Sequence, residues 1–187
     1  MTSLAPGFLV AAPILRDPNF VGSVVLMVEH SEQGALGFIV NRESKRDLRN
    51  VLDALDIGDT PIQRHVPVMT GGPVSPTTSW IVFETDREPE PREDVLMVTD
   101  HLGVGASVQF LVDAVRGEAE GRAMLVQGYA RWGPGQLESE LRLGVWLWAD
   151  LDARVIFDTG PSERWAAALS VLGIHPAALP RTQVALA

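Results

Sequence analysis

The chain has 187 residues, 46% hydrophobic and 21% charged, which is typical of a globular protein and excludes disordered and collagen-like classes. Its 15 basic and 24 acidic residues give a net charge of −9, which disfavours broad contact with the phosphate backbone of nucleic acids. The absence of cysteine excludes disulfides, thiolate metal sites and cysteine nucleophiles.

The chain length supports one hydrophobic core, so we expect a single domain over residues 1–187. The first residues lack the basic and long apolar regions of a signal peptide. No apolar run reaches the roughly 18 residues that a transmembrane helix needs. We therefore expect a cytoplasmic protein that does not associate with membranes.

The N-terminal part of the chain is predicted to be rich in strands. A buried strand is expected at 7–12, where an apolar run ends at a proline. Two further apolar runs, 24–29 and 36–40, predict a hairpin with a turn of four to five residues. Asp47 is suited to cap a helix that buries Leu48, Val51, Leu52 and Leu55 on one face.

The middle of the chain alternates strands with turn-rich segments. Strands are predicted at 66–69 and 80–83, with an irregular segment at 71–76 between them because it holds two glycines and two prolines. The segment 84–94 carries six acids and two prolines, which indicates a solvated loop.

The C-terminal half is predicted to mix strands and helices without strict alternation, which favours a mixed sheet over a doubly wound parallel one. In chain order we expect a strand at 95–98, a helix whose apolar stripe runs from Val104 to Val115, a strand at 123–129, a helix at 134–141, strands at 145–148 and 155–157, and a helix from Pro161 that ends at Gly173.

Motifs with chemical meaning are incomplete. Gly103-Val104-Gly105 lacks the third glycine of a dinucleotide fingerprint, so these glycines are expected to form a flexible helix entry. The segment 105–109 lacks the closing glycine of a nucleophile elbow. The histidines are too dispersed to form a two-ligand pair, so we expect no metal site and no cofactor.

Two polar segments are candidates for a site. Glu29 and His30 are adjacent in a predicted strand, so only one of them can face a given pocket. In the segment 128–140, Gln136 and Glu140 share a helical face, which places them as polar contacts for Tyr129 and Trp132. That segment is either a packed corner or, through free backbone N–H groups, an anion site. Glu138 is expected to form an exposed ion pair with Arg142.

The order and spacing of several unusual strings resemble the AlgH/YqgE family. The similarity covers about residues 7–179 and departs mainly at 84–94. It is carried by Asp17-Pro18-Asn19-Phe20, Val28-Glu29-His30, Gly34-Ala35-Leu36-Gly37 with Asn41, Gly71-Gly72-Pro73-Val74, the run from Gly128 to Glu140, Trp146, Ile156-Phe157-Asp158 and Arg164-Trp165.

The resemblance implies one bacterial α+β domain with a mixed, branched sheet that partly closes into a small barrel and is flanked by helices. It also implies a label of transcriptional regulation, with no established catalytic residue or cofactor.

Two functional hypotheses follow. The favoured one is a non-catalytic regulatory protein that binds an unknown protein partner or small ligand and acts on transcription indirectly, since direct nucleic-acid binding is disfavoured. The alternative is an enzyme or metabolite sensor whose catalytic residues are unknown. Its pocket would be built from Glu29, His30, Asn41, Gly71, Gly72, Pro73, Tyr129, Trp132, Gln136 and Glu140.

Overall fold

The computed structural model describes residues 3–85 and 94–179. Within these ranges the strands are β1 Gly7–Ala11, β2 Val24–Ser31, β3 Gly34–Ile39, β4 Val68–Thr70, β5 Val74–Glu84, β6 Val95–Thr99, β7 Leu102–Gly105, β8 Ala123–Trp132 and β9 Trp146–Ala149. The helices are α1 Leu48–Ala54, α2 Val108–Arg116, α3 Gln136–Arg142, α4 Ala153–Phe157 and α5 Arg164–Val171, followed by a 3₁₀ helix at Pro176–Ala178. The α+β class is confirmed.

The chain divides into two compact units. The first unit comprises residues 1–41 and 130–187, and the second comprises residues 42–129. The assignment of residues 1–187 to a single domain stays a prediction. Most of the predicted acidic loop at 84–94 lies outside the described residues.

The first unit is built on antiparallel strands in the order β9-β1-β2-β3, to which the last residues of β8 are added beside β3. Strand β1 is completely buried, as its uninterrupted apolar run predicts. A buried cluster packs against these strands and contains Leu9, Val25, Trp132, Leu137 and Trp146.

The hairpin of β2 and β3 is tighter than predicted. Ser31 pairs with Gly34, so the loop has two residues rather than four to five. Gly34 has φ 121°, and a Cβ there would lie 2.2 Å from the carbonyl oxygen of Trp132. Glycine therefore lets the turn lie directly against β8.

The second unit is built on strands in the order β6-β7-β5-β8, all antiparallel, with β4 parallel to β8. Helices α1 and α2 bury Leu52, Leu111 and Val115 in a cluster that includes Ile81 and Leu125. The parallel β4 makes the sheet mixed and branched, which confirms that part of the expected architecture.

The predicted partial barrel is wrong for the described strands. Their pairing runs in open order within each unit, and the terminal strands β9 and β6 each pair with one neighbour, β1 and β7 respectively. A barrel needs its first and last strands to pair with one another.

Three local predictions fail for identifiable reasons. The pair Gly103 and Gly105 belongs to strand β7 rather than to a helix entry, because both residues pair with β5. Glycine at 103 leaves room for the ring of Phe83, which would lie 2.4 Å from a Cβ. The segment 155–157 is part of α4, where an apolar triplet alone cannot distinguish strand from helix. Strand β5 starts at Val74, with a register shift before Ser79 that accommodates the proline-containing segment.

Helix α1 begins where the sequence predicts. The Asp47 carboxylate accepts a hydrogen bond of 2.8 Å from the backbone N–H of Asn50, which would otherwise have no intrahelical partner. Replacing Asp47 with alanine is expected to lower the free energy of unfolding by about 1 kcal/mol. Urea denaturation measures this, with Asp47→Ser as a control that retains an acceptor. Equal losses in both variants would contradict the capping role.

Candidate functional site

The strands β2, β3 and β8 bring the candidate residues of the first unit into two cross-strand rows. One row pairs Glu29 with Leu36 and Leu36 with Arg131. The next row pairs His30 with Ala35 and Ala35 with Trp132. Successive side chains of a strand point to opposite faces of a sheet, so the two rows face in opposite directions. The sequence prediction that Glu29 and His30 diverge is therefore confirmed.

His30 is enclosed on the face that α3 covers, here called the helix face. Only 3% of its side chain is exposed, and its Nε2 lies 2.9 Å from Oε1 of Glu138 on α3. Its Nδ1 accepts a hydrogen bond of 3.1 Å from the backbone N–H of Leu4. Because Nδ1 is the acceptor, Nε2 carries the hydrogen and donates a hydrogen bond to Glu138. Both ring nitrogens are thus engaged in internal contacts.

Glu138 corrects the expectation of an exposed ion pair with Arg142. The hydrogen bond from its own backbone N–H, in the first turn of α3, and the hydrogen bond from His30 are the two largest causes that lower the pKa of the carboxyl group below its ordinary value of 4.5. Partial burial opposes them, and the positive charge of Arg142 adds a smaller effect in the same direction. Arg142 therefore contributes, but His30 is the direct partner.

The lowered pKa of Glu138 predicts how its contribution to stability depends on pH. A carboxyl group whose pKa is lower in the folded state stabilises the fold above its unfolded pKa, and loses that effect as the pH falls through the folded pKa. At pH 6, the free energy of unfolding of wild type is expected to exceed that of Glu138→Gln by about 1 kcal/mol. The difference should shrink steadily below a pH of about 4. Urea denaturation across pH 3–7 measures it; a difference that grows on acidification would contradict the assignment.

Glu140 holds the second polar cluster of the helix face. Its Oε2 accepts hydrogen bonds from the indole N–H groups of Trp132, at 2.9 Å, and of Trp146, at 2.8 Å. Its Oε1 accepts one of 2.9 Å from the amide of Gln136, whose own oxygen accepts the N–H of Gly133. The predicted polar contact with Trp132 is confirmed, and this segment forms a packed corner in which the Gly133 N–H group is already engaged.

The opposite face of the same strands carries an open cleft of about 190 Å³. Its lining residues are Glu29, Ser31, Gln33, Gly34, Ala35, Leu36 and Arg131. Glu29 and Arg131 are exposed. Within residues 3–85 and 94–179, neither the carboxylate of Glu29 nor the guanidinium of Arg131 has a hydrogen bond or ion pair. This cleft therefore offers two unpaired opposite charges to solvent.

The other candidate residue of the first unit, Asn41, has a structural position. Its side-chain oxygen accepts the backbone N–H of Val24 at 2.8 Å, and its amide donates to the carbonyl of Gly22 at 2.9 Å. Both polar atoms of this side chain thus fix the turn that leads into β2.

The remaining candidates belong to the second unit. Gly71 donates its N–H to the carbonyl of Gln127 at 2.7 Å, and a Cβ on it would lie 2.4 Å from the Gly128 oxygen. Gly72 is buried and Pro73 is exposed in the same connection to β5. Tyr129 packs edge-on against Trp80, with ring centroids 6.4 Å apart. A ligand-binding role for Gly71, Gly72, Pro73 and Tyr129 stays a prediction.

Two general features bear on chemistry. In the part of the chain that the structure describes, no three histidine or acidic side chains are grouped as ligands for a metal ion. The helices found there are all too short or too polar to cross a bilayer.

Sequence reasoning missed Arg131, although its signal was present. Arg131 directly precedes Trp132 in the predicted corner, so strand alternation places the two side chains on opposite faces. What the sequence lacked was the register between β3 and β8, which sets Arg131 in one row with Glu29. Pairing between strands separated by about 95 residues of chain cannot be read from local patterns.

Comparison with known proteins gives one consistent family. The model of AlgH-like proteins matches residues 8–177. A UPF0301 protein of Anaeromyxobacter dehalogenans is 42% identical over 93% of this chain and 90% of its own. A UPF0301 protein of Burkholderia cenocepacia is 36% identical over 95% and 92%, respectively.

Solved structures similar to this chain support the same family. The solution structure of the AlgH protein from Pseudomonas aeruginosa has 34% identity and a TM-score of 0.79, covering 100% of this chain and 97% of that one. Protein DIP2367 from Corynebacterium diphtheriae shares the fold, with 23% identity and a TM-score of 0.70 over 89% and 85% of the chains. The resemblance found in the sequence strings is confirmed, and the chain belongs to the AlgH-like family.

Proposed function

We propose that this AlgH-like chain is a non-catalytic regulatory protein that acts by binding a ligand in the cleft on β2, β3 and β8. The observation that carries the proposal is the contrast between the two faces of these strands. On the cleft face, Glu29 and Arg131 are exposed and, among the described residues, have no polar partner. On the helix face, the side chains of His30, Glu138 and Glu140 form hydrogen bonds within the protein.

The helix face is better suited to a structural role than to catalysis. A general acid or base must reach a proton on the substrate, at a hydrogen-bond distance of about 3 Å. His30 already uses both ring nitrogens, one with Leu4 and one with Glu138. Glu140 accepts three hydrogen bonds, two of them from buried indoles. These contacts favour a role in fixing the scaffold under the cleft.

Indirect action on transcription agrees better with the charge of the chain than direct binding to DNA. A net charge of −9 repels phosphate, and affinity for the DNA backbone comes from basic side chains. A mobility-shift titration at low salt tests this part. Tight, sequence-selective binding by the purified protein would contradict it.

Ligand binding at the cleft is tested by a thermal-shift screen with a metabolite library. The variant is the double change Glu29→Gln and Arg131→Gln, and the control is Glu32→Gln, an exposed acid in the same hairpin turn that does not line the cleft. We expect at least one compound to raise the melting temperature of wild type and control, but not of the double variant.

Mass spectrometry of the same incubations separates binding from catalysis. The proposal expects the compound to be recovered unchanged. Conversion of the compound by wild type but not by the double variant would show an enzyme instead. If no compound depends on Glu29 and Arg131, the cleft is not the binding site.

A further inference from the structure

The geometry points to a small zwitterion as the ligand of the cleft: a molecule with an amino group at one end and a carboxylate at the other, joined by a short flexible chain. This inference rests on the proposed function and names the chemical class of its ligand. In it, Arg131 binds the carboxylate, Glu29 binds the ammonium group, and Leu36 contacts the chain between them.

The spacing of the two charges comes from the register of the strands. Glu29 and Arg131 each pair with Leu36, from the two sides of β3. Neighbouring strands are about 4.8 Å apart, so the two backbone positions are separated by roughly 10 Å. The intervening strand separates the two backbone positions, and neither charged group is paired among the described residues.

A matching ligand must reach both charges. When the two side chains extend in parallel from the sheet, their charged ends keep the backbone spacing of roughly 10 Å. Charge-assisted contacts of about 2.8 Å then leave roughly 4 Å between the ends of a ligand that lies directly between the two groups. A ligand that lies above them spans up to about 10 Å. Since an extended chain advances about 1.2 Å per bond, four to eight bonds must separate the amine nitrogen from the carboxyl carbon.

The chemistry of the lining residues fits the two ends differently. The planar guanidinium of Arg131 matches the two oxygens of a carboxylate, whereas a carboxylate such as Glu29 is an acceptor only and suits an ammonium group. Gln33 beyond Glu29 is exposed and lines the same cleft. Leu36 supplies an apolar contact for methylene groups at the centre of the row.

The size of the cleft agrees with a ligand of this kind. Pockets for drug-sized ligands have volumes of about 300–1,000 Å³, and this cleft, at about 190 Å³ and open to solvent, is smaller. It therefore suits small molecules, which include linear amino acids of four to six carbons. Larger metabolites such as nucleotides would extend well beyond it.

Isothermal titration with 6-aminohexanoate tests the inference, because its amine and carboxyl group are six bonds apart. We expect wild type to bind it, and to bind hexanoate and hexylamine at least about tenfold more weakly, because each lacks one charged contact. Glycine, a zwitterion too short to reach both residues, should not bind. In the homologous series from 4-aminobutyrate to 8-aminooctanoate, affinity should be highest at one chain length and fall for shorter and longer members.

Charge reversal at Glu29 and Arg131 tests whether these two residues bind the two ends of the ligand. Glu29→Arg or Arg131→Glu alone should abolish binding of 6-aminohexanoate, since two like charges then face the ligand. The double variant carrying both changes should bind again to within a few-fold of wild type, because a linear zwitterion simply reverses its direction. All three should keep the wild-type melting temperature, since both side chains are exposed and unpaired among the described residues.

The outcomes separate the inference from the proposed function. Binding of the amino acid that the single variants lose and the double variant regains supports both. If no member of the series binds, or if the variants bind unchanged, the zwitterion inference is wrong. The proposed function survives that result only if a library compound of other chemistry still depends on Glu29 and Arg131, and fails with it if none does.

Discussion

Replacing Glu140 with alanine is expected to lower the free energy of unfolding by about 3–5 kcal/mol, a large part of the roughly 5–15 kcal/mol that stabilises an ordinary domain. The carboxylate is the acceptor for two indole N–H groups, on Trp132 and Trp146, and these residues are 3% and 2% exposed. Without it, both N–H groups are buried with no acceptor, and each costs about 1–3 kcal/mol. Far-UV circular dichroism during urea denaturation measures the loss independently of tryptophan fluorescence.

Two control variants separate the acceptor from the helix that carries it. Glu140→Gln keeps one oxygen for the two indoles, so its loss should stay near 1 kcal/mol. Ser139→Ala changes an exposed neighbour on the same helix and should leave the denaturation midpoint where it is. If Glu140→Ala and Glu140→Gln lose the same amount, the shared oxygen is not what holds the two rings.

The sequence predicted those parts of the fold whose signals are local. Asp47 followed by apolar residues at helical spacing predicts α1 because a cap and an amphipathic face both lie within a few residues. The segment 155–157 is predicted wrongly as a strand, since three apolar residues fit the periodicity of a strand as well as that of a helix. Only the cap at Asp152 identifies α4 as a helix. The open order of the strands was not predictable locally, because it depends on which distant strands pair.

The sequence predicts which residues belong to the candidate site better than it predicts which of them contact one another. Helical spacing predicts that Trp132, Gln136 and Glu140 lie together, since they fall within nine residues of one another, and the structure confirms it. The partner of His30 is Glu138, 108 residues away, which local spacing pairs with Arg142 instead. Long-range partners of this kind require the tertiary structure, whatever the strength of the local pattern.

The two faces of β2, β3 and β8 connect stability with the proposed binding role. The row of His30, Ala35 and Trp132 is anchored by α3 through Glu138 and Glu140. Because the strands are thereby fixed in register, the spacing of Glu29 and Arg131 on the opposite face is fixed as well. A fixed backbone spacing favours one ligand length over others, since only the side chains of Glu29 and Arg131 must be ordered at binding.

Arg164 is the second residue whose loss is expected to have a large effect. Although it begins helix α5, it is only 5% exposed, and its guanidinium donates to the carbonyl oxygens of Thr159, at 3.0 Å, and of Val40, just after β3. Removing the side chain leaves these carbonyls without that donor and opens space in the core. We expect Arg164→Ala to lower the free energy of unfolding by about 2–4 kcal/mol.

Arg154 provides the matched comparison, because it also lies in the first turn of a helix but is exposed and paired with Asp152. Exposed ion pairs contribute little, so Arg154→Ala should leave the urea midpoint unchanged. Arg164→Met retains apolar volume without donors, and its loss should fall between those of Arg154→Ala and Arg164→Ala if both cavity and carbonyls matter. Equal midpoints for Arg164→Met and wild type would show that the guanidinium contacts add nothing, and that packing alone makes this arginine necessary.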